Sequence, residues 1–242
     1  MPNSYFRFKQ FTVHQEHCAM KVCTDACLFG AWAANKIATE KKEIKNVLDI
    51  GTGTGLLSLM IAQKNPHLKI DAVEIDEVST IQAASNFKLS PWEENLQVHH
   101  AAIQDHEQKK YQYDLIISNP PFYENDLKSE DKKRNTALHS SQLSLKDLLH
   151  AINKQLTIDG SFGILLPFSR TTCFKELSIQ NQFFLKEELL VKQSYKHSFF
   201  RSILYFNRKE TAVKRSELSI QDKEGKYTDE FAQLLKDYYL YL

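Results

Sequence analysis

Val47-Leu48-Asp49-Ile50-Gly51-Thr52-Gly53-Thr54-Gly55 decides the fold. Val47–Ile50 reads as a buried strand. It runs directly into three glycines at alternate positions, and Gly55–Asn65 then reads as a helix, with Leu56, Leu59 and Met60 on neighbouring turns. Strand, glycine turn and helix in that order open a βαβ unit. Glycine lets the backbone turn tightly and approach a ligand, and the helix start offers free amide hydrogens to it. Dinucleotide oxidoreductases carry a related loop spaced G-x-G-x-x-G, whereas the spacing here is G-x-G-x-G. Asp49, two residues before the first glycine, can meet a ligand ammonium group. Glu74 closes the next strand, where a carboxylate can accept hydrogen bonds from both hydroxyls of a ribose.

Outward from this loop the pattern keeps alternating. Lys69–Glu74, Leu96–His100, Asp114–Ser118 and Ser161–Leu166 read as strands, and Glu77–Leu89 and Leu145–Leu156 as helices. Such alternation implies a parallel sheet with right-handed crossovers and helices on both faces. Phe184–Lys192 and Ser198–Lys209 read as two closing strands, for a seven-stranded, mostly parallel sheet with an antiparallel closing strand. Residues 1–242 are expected to form a single α/β domain. Within it, residues 1–46 read as an N-terminal lid segment and 211–242 as a C-terminal connector and helix. Thr211–Gly225 is the charged connector. Thr228–Leu240 is the amphipathic helix, with Thr228 as its N-cap. Glu124–Thr136 reads as a polar loop.

Asp49, the three glycines Gly51, Gly53 and Gly55, and Glu74 resemble the cofactor site of class I methyltransferases, a Rossmann-like fold. The resemblance implies S-adenosyl-L-methionine as cofactor. Ile116-Ile117-Ser118-Asn119-Pro120-Pro121-Phe122 then gains a chemical meaning. An apolar strand ends directly in Asn-Pro-Pro-aromatic, at the carboxyl edge where open α/β sheets bind ligands. An amine conjugated to a ring is a poor nucleophile because its lone pair is delocalised. The Asn119 side-chain oxygen and the Pro120 carbonyl can each accept one of its N–H groups and aim the lone pair at a methyl group. The prolines stiffen the loop, and Phe122 offers a face on which a base can stack. Asn119, Pro120 and Phe122 are therefore the candidate catalytic residues. A Pro-Pro turn followed by a core aromatic is the plain structural alternative, disfavoured by the glycine loop upstream.

Composition narrows the classes. A chain with 42% hydrophobic and 25% charged residues and a net charge of +1 is ordinary for a globular protein. No stretch approaches the roughly 20 apolar residues of a membrane span, and no N-terminal signal is visible, so a cytoplasmic protein is expected. Cys18, Cys23, Cys27 and Cys173 form no C-x-x-C pair and fit no closed zinc pattern. Free thiols and no metal are expected. Lys186 to Arg215 holds eight cations against three acids, either a phosphate-facing surface or a solvated face.

Beyond these shared motifs, several segments resemble the bacterial tRNA1(Val) adenine-37 N6-methyltransferases. They are Phe8–Val13, Met20–Trp32, Ala83–Asn86 with Ser90-Pro91-Trp92, Ile103–Asp105, and Arg134, Ala137 and His139. The likeness runs from about Phe8 to Arg208 and weakens after Pro167. It implies methyl transfer to N6 of an adenine in the anticodon loop of a valine tRNA. It also implies that Lys21–Asp25 covers the cofactor, with Thr24 and Asp25 nearest. Thr24 is equally readable as the N-cap of the apolar helix that follows. Many class I enzymes carry an acid where this chain has Ala102, so contact with the cofactor's adenine falls to Gln104, Asp105 or backbone. Oligomeric state is not legible, a monomer being the simpler expectation.

Alternatives differ by visible features. A glutamine N5-methyltransferase acting on a release factor normally has a helical domain before the glycine loop, but only 46 residues precede Val47 here. A DNA adenine methyltransferase usually has a separate target-recognition domain, and no segment is long enough. A ribosomal RNA methyltransferase shares most of the pattern. An oxidoreductase conflicts with the glycine spacing and with Asn119–Phe122. Intact Asp49, Glu74 and Asn119 argue against an inactive RNA-binding module.

Overall fold

The computed structural model describes residues 3–18, 20–40, 42–106, 112–120 and 143–242. The chain begins with a small hairpin of β1 (Tyr5–Arg7) and β2 (Thr12–His14), followed by α1 (Thr24–Thr39). The central sheet is then built from β3 (Asn46–Ile50), α2 (Leu56–Lys64), β4 (Lys69–Glu74), α3 (Glu77–Lys88), β5 (Leu96–His100) and β6 (Tyr113–Ser118). It continues through α4 (Leu145–Gln155), β7 (Leu156–Pro167), α5 (Thr171–Gln180), β8 (Phe184–Ser194), β9 (Phe199–Asn207), β10 (Lys214–Gln221) and α6 (Asp229–Leu235).

The sheet has 8 strands in the order β10-β8-β9-β7-β6-β3-β4-β5. Only β9 runs against its neighbours β7 and β8, and every other pairing is parallel. This is the mostly parallel α/β sheet expected from the alternation and the architecture that the resemblance to class I methyltransferases implies, with all the expected strands in place. The order reverses at β3, so the carboxyl ends of β3, β4 and β6 open onto one crevice.

Each face of the sheet buries its own apolar layer. On one side α1, α2 and α6 pack Phe29, Leu59, Met60, Phe231 and Leu235 against Val47, Ile70 and Ile203. On the other, α4 and α5 pack Leu148, Leu149, Ile152 and Phe174 against Leu48, Ile116, Phe162 and Leu204. Caps set the helix starts. Ser144 accepts from the Asp147 N–H at 3.1 Å and donates to its carboxylate at 2.6 Å, while Thr228 accepts from the Phe231 N–H as expected.

Three local features depart from the sequence reading or were missed by it. Residues 211–225 are not simply a connector, because Lys214–Gln221 adds β10 as an eighth strand alongside β8. Its alternation is confined to Leu218 and Ile220, and its charges serve cross-strand ion pairs, Arg215 with Glu188 and Lys192 with Glu217. The helix α5 carries only Thr171, Phe174 and Ser178 inward, a stripe too narrow to stand out in the sequence. Cys23, not Thr24, occupies the N-cap of α1, and its side chain makes no capping bond.

Because Leu218 is buried in the core shared with α6, Leu218→Ala should lower stability by about 2–3 kcal/mol, the low end for such a truncation at a sheet edge. Urea unfolding measures it. A loss below about 0.5 kcal/mol would show that β10 does not hold α6 in place.

Candidate active site

The glycine loop is held by its neighbours. Gly51, Gly53 and Gly55 have φ of 71°, 55° and 83°, left-handed values that a side chain resists. Gly55 is doubly constrained, because a Cβ there would meet the Phe87 ring at 2.5 Å. Gly51 N–H donates to the Val73 carbonyl at 2.8 Å, and Gly53 N–H donates to Glu74 Oε2 at 2.9 Å. The other Glu74 oxygen accepts from the N–H groups of Ile75 and Asp76 at 2.9 and 3.0 Å. A carboxylate has about four acceptor positions. Three are taken by backbone, which leaves Glu74 one for a ligand hydroxyl.

Asp49 is fully buried. Its Oδ2 accepts from the Thr52 and Ser58 hydroxyls at 2.7 and 2.8 Å, while Oδ1 is buried without a protein partner. Burial pushes its pKa up to about 6 against the pull of those two hydroxyls, with Glu74 adding a smaller upward push. Above about pH 6 the ionised carboxylate therefore costs folding free energy, and that cost is relieved as the group protonates. A buried acceptor kept without a partner beside a left-handed glycine loop fits a cofactor that brings a cationic group.

The reacting end lies one strand away. Ser118 pairs in register with Ile50 and its hydroxyl donates to the Ile50 carbonyl at 2.9 Å. Asn119 follows half-buried and Pro120 buried. Asp49, Glu74 and Asn119 thus share the carboxyl edge of β3, β4 and β6. Phe122 and Pro121 lie outside the described residues. So do Arg134, Ala137, His139, the 124–136 loop and Lys132-Lys133. Gln104 and Asp105 are exposed on the turn after β5, which is tied to β4 by the Ala101 N–H on the Glu74 carbonyl.

The N-terminal segment reaches this edge in an unexpected way. Asn86, 1% exposed, holds β2 against the loop: it accepts from the His14 N–H and donates to the carbonyls of His14 and Thr54 at 2.8 Å each. The Cys18 thiol, which burial pushes up, hydrogen-bonds Ser79 and lies within electrostatic reach of Glu74 and Asp76. Gln15 and Lys21 close the intervening stretch, the Val22 N–H donating to Gln15 Oε1 at 2.7 Å and the Lys21 ammonium to the Gln15 carbonyl. Asp25 faces β9, its carboxylate accepting from Arg201 Nε at 2.7 Å, and Thr24 bonds Tyr239. Neither Asn86 nor Cys18 was legible as part of the site. A polar residue facing inward from α3 was the available signal.

Besides Arg201, four cations of the basic stretch pair with acids. Lys186 meets Glu40, Lys192 Glu217, Lys209 Asp159 and Arg215 Glu188. The four cysteines are free. Among the described residues no group of His, Cys, Asp and Glu could hold a metal, and no helix is long and apolar enough to cross a membrane.

The methyltransferase small domain model matches residues 34–161, from within α1 to the middle of β7. A tRNA1(Val) (adenine(37)-N6)-methyltransferase of Dyadobacter fermentans is 42% identical over 98% of this chain and 98% of its own. One from Trichodesmium erythraeum is 42% identical over 99% of each. The chain belongs to this family. Among solved structures, a predicted O-methyltransferase from Agrobacterium tumefaciens superimposes with a TM-score of 0.66 at 12% identity, covering 88% of this chain and 96% of that one. A ribosomal protein L11 methylase from Lactobacillus delbrueckii gives 0.53 at 16%, covering 75% and 77%. These share the fold alone.

Asn86→Ala would strand three backbone groups, the buried Thr54 carbonyl and the part-buried N–H and carbonyl of His14. A buried orphan costs about 1–3 kcal/mol, so the loss should be on the order of 3 kcal/mol by chemical denaturation, with faster amide exchange at His14. Unchanged exchange there would mean that the hairpin is held some other way.

Proposed function

We propose that this protein transfers a methyl group from S-adenosyl-L-methionine to N6 of an adenine in tRNA, adenine 37 in the anticodon loop of valine tRNA, as the names of its relatives state for them. The observation that carries the reading is Asn119–Pro120 at the end of β6, beside a glycine loop whose buried acid has an unpartnered oxygen. When bound, the cofactor supplies an electrophilic methyl group.

The chain's own residues supply the rest. Asp49 offers its free oxygen to a cationic group, the three left-handed glycines let backbone lie against the cofactor, and Glu74 accepts one hydroxyl. Gln104 borders the adenine side. Thr24, bonded to Tyr239, and Asp25, paired with Arg201, close the N-terminal side in the role of a lid. Asn119 Oδ1 and the Pro120 carbonyl accept the two N–H groups of the target amine, and Phe122 stacks on its ring. Sequestering the amine this way holds its lone pair toward the methyl group, a positioning effect rather than general-base catalysis. A base within a duplex cannot present that nitrogen, whereas an anticodon loop offers unstacked bases at low cost.

Electrostatics at Asp49 gives one test. A cation beside the carboxylate favours its ionised form, so binding lowers its pKa from about 6 and releases a proton. Cofactor affinity should be flat above about pH 7 and fall up to about tenfold per unit below about pH 6. Asp49→Asn should weaken binding at neutral pH and flatten the profile. Calorimetry across that range decides it, and wild-type affinity that ignores pH would refute the role.

The chemistry gives the other. Asn119→Ala should keep cofactor affinity and lose turnover by on the order of 10²-fold. Unmodified valine tRNA should accept the methyl group and its anticodon-loop A→G variant should not. Transfer to ribosomal RNA or duplex DNA with none to tRNA would overturn the substrate.

A further inference from the structure

Beside Asn119 the sheet rises into a wall. Ser118, the last residue of β6, lies opposite Ile164 of β7, and β7 runs on through Leu165 and Leu166 to Pro167. At about 3.3 Å per residue, the end of β7 stands about 10 Å past the end of β6. The start of β9 flanks this extension, Arg201 opposite Pro167 and Phe199 opposite Lys192 of β8. The turn between β8 and β9 completes the wall, fixed by a 2.8 Å bond between Ser194 Oγ and His197 Nδ1.

Large aromatic faces and ammonium groups alternate along it. Phe168 is 41% exposed and Tyr195 43%. The Phe168 ring lies 5.4 Å from that of Phe199, and Lys192 Nζ sits 4.2 Å over Phe199. Lys196 and Lys223, both exposed, hold their ammonium groups 5.9 and 5.2 Å from the Tyr195 ring. The nearby acids are engaged: Glu217 with Lys192, Glu224 with Lys226, and Asp222 with the N–H groups of Glu224 and Lys226. Exposed rings interleaved with cations match single-stranded nucleic acid, whose bases need flat faces and whose phosphates need positive charge. A duplex hides its base faces and has no use for Phe168 or Tyr195.

We propose that this wall docks the single-stranded RNA flanking the target adenine. Neighbouring bases stack on Phe168 and Tyr195, and phosphates meet Lys196 and Lys223. The proposal rests on the reading of this protein as a tRNA methyltransferase. It also replaces the whole Lys186–Arg215 stretch with its carboxyl-edge portion, since Lys186, Lys209 and Arg215 are engaged by acids elsewhere. Lys9, a cation near the N-terminus, donates to the Lys236 carbonyl. There the last turn of α2 meets the residues after α6, through the Gln63 bond to the Asp237 carbonyl, the end of α2 remote from the glycine loop.

The test measures binding of a fluorescent anticodon stem-loop, its salt dependence, and steady-state methylation. Removing both stacking faces in Phe168→Ala/Tyr195→Ala should weaken RNA binding about tenfold or more and raise KM for tRNA, with kcat at saturating tRNA retained. Lys196→Ala/Lys223→Ala should also weaken it and shallow the salt slope by about one to two. Tyr195→Phe should bind as wild type. All variants should keep the wild-type melting temperature and cofactor affinity, which separates lost contacts from misfolding. Wild-type methylation with unimpaired binding by both double variants would overturn the wall alone. Wild-type binding that the variants lose, without any methyl transfer, would overturn the enzymatic reading and keep the wall. Tighter binding to a duplex than to the loop, or no RNA binding at all, would overturn the wall.

Discussion

The bond from the Gly53 N–H to Glu74 Oε2 ties the glycine loop to the end of β4, and much of the crevice depends on it. The loop must turn sharply after β3, and it does so with three residues in left-handed conformations. Such a turn has little intrinsic preference for one shape, since glycine keeps the most freedom when unfolded. Its shape is imposed from outside. Val73 and Glu74 hold it from β4, Asn86 from α3, and the Phe87 ring occupies the space that any side chain at position 55 would need.

Asp49 is the energetic counterpart of this loop. A carboxylate with no solvent exposure and one unpartnered oxygen is costly to bury. Thr52 and Ser58 offset part of that cost through one oxygen only. Asparagine would avoid the charge, so a merely structural role does not explain the acid. Strain and unsatisfied polarity concentrated at one spot are the usual mark of a site completed by its ligand.

Around that centre the two faces of the sheet divide the work. The α4–α5 face is a plain apolar layer of Phe162, Phe174, Phe183 and Phe206. The α1–α2 face also anchors the N-terminal segment. Asn86 fixes β2, and Arg201 fixes the start of α1 through Asp25. Segments distant in sequence thereby border the same carboxyl edge, although no one of them forms it alone.

The central strands β3, β4, β6 and β7 were legible as short apolar runs, because a parallel strand is buried on both faces, and α2 as a longer apolar run after the glycines; α4 shows a one-sided helical stripe. The crevice was legible at Asp49, Gly51, Gly53, Gly55, Glu74 and Asn119 because parallel strands put their carboxyl ends on one edge. β10 was not, since an edge strand needs only one buried face and spends Arg215 and Glu217 on pairing with β8. Nor was α5, whose inward stripe includes two hydroxyl residues. Tertiary structure alone decided which partner each charge found. Asp25 could cap, bind a ligand or pair, and the fold gave it Arg201. The eight cations from Lys186 to Arg215 could form one basic face, but the fold pairs five of them, Lys186, Lys192, Arg201, Lys209 and Arg215, with acids from separate parts of the chain. Spacing along a chain fixes which residues share a face, but charge pairing depends on distances between segments that only packing brings together.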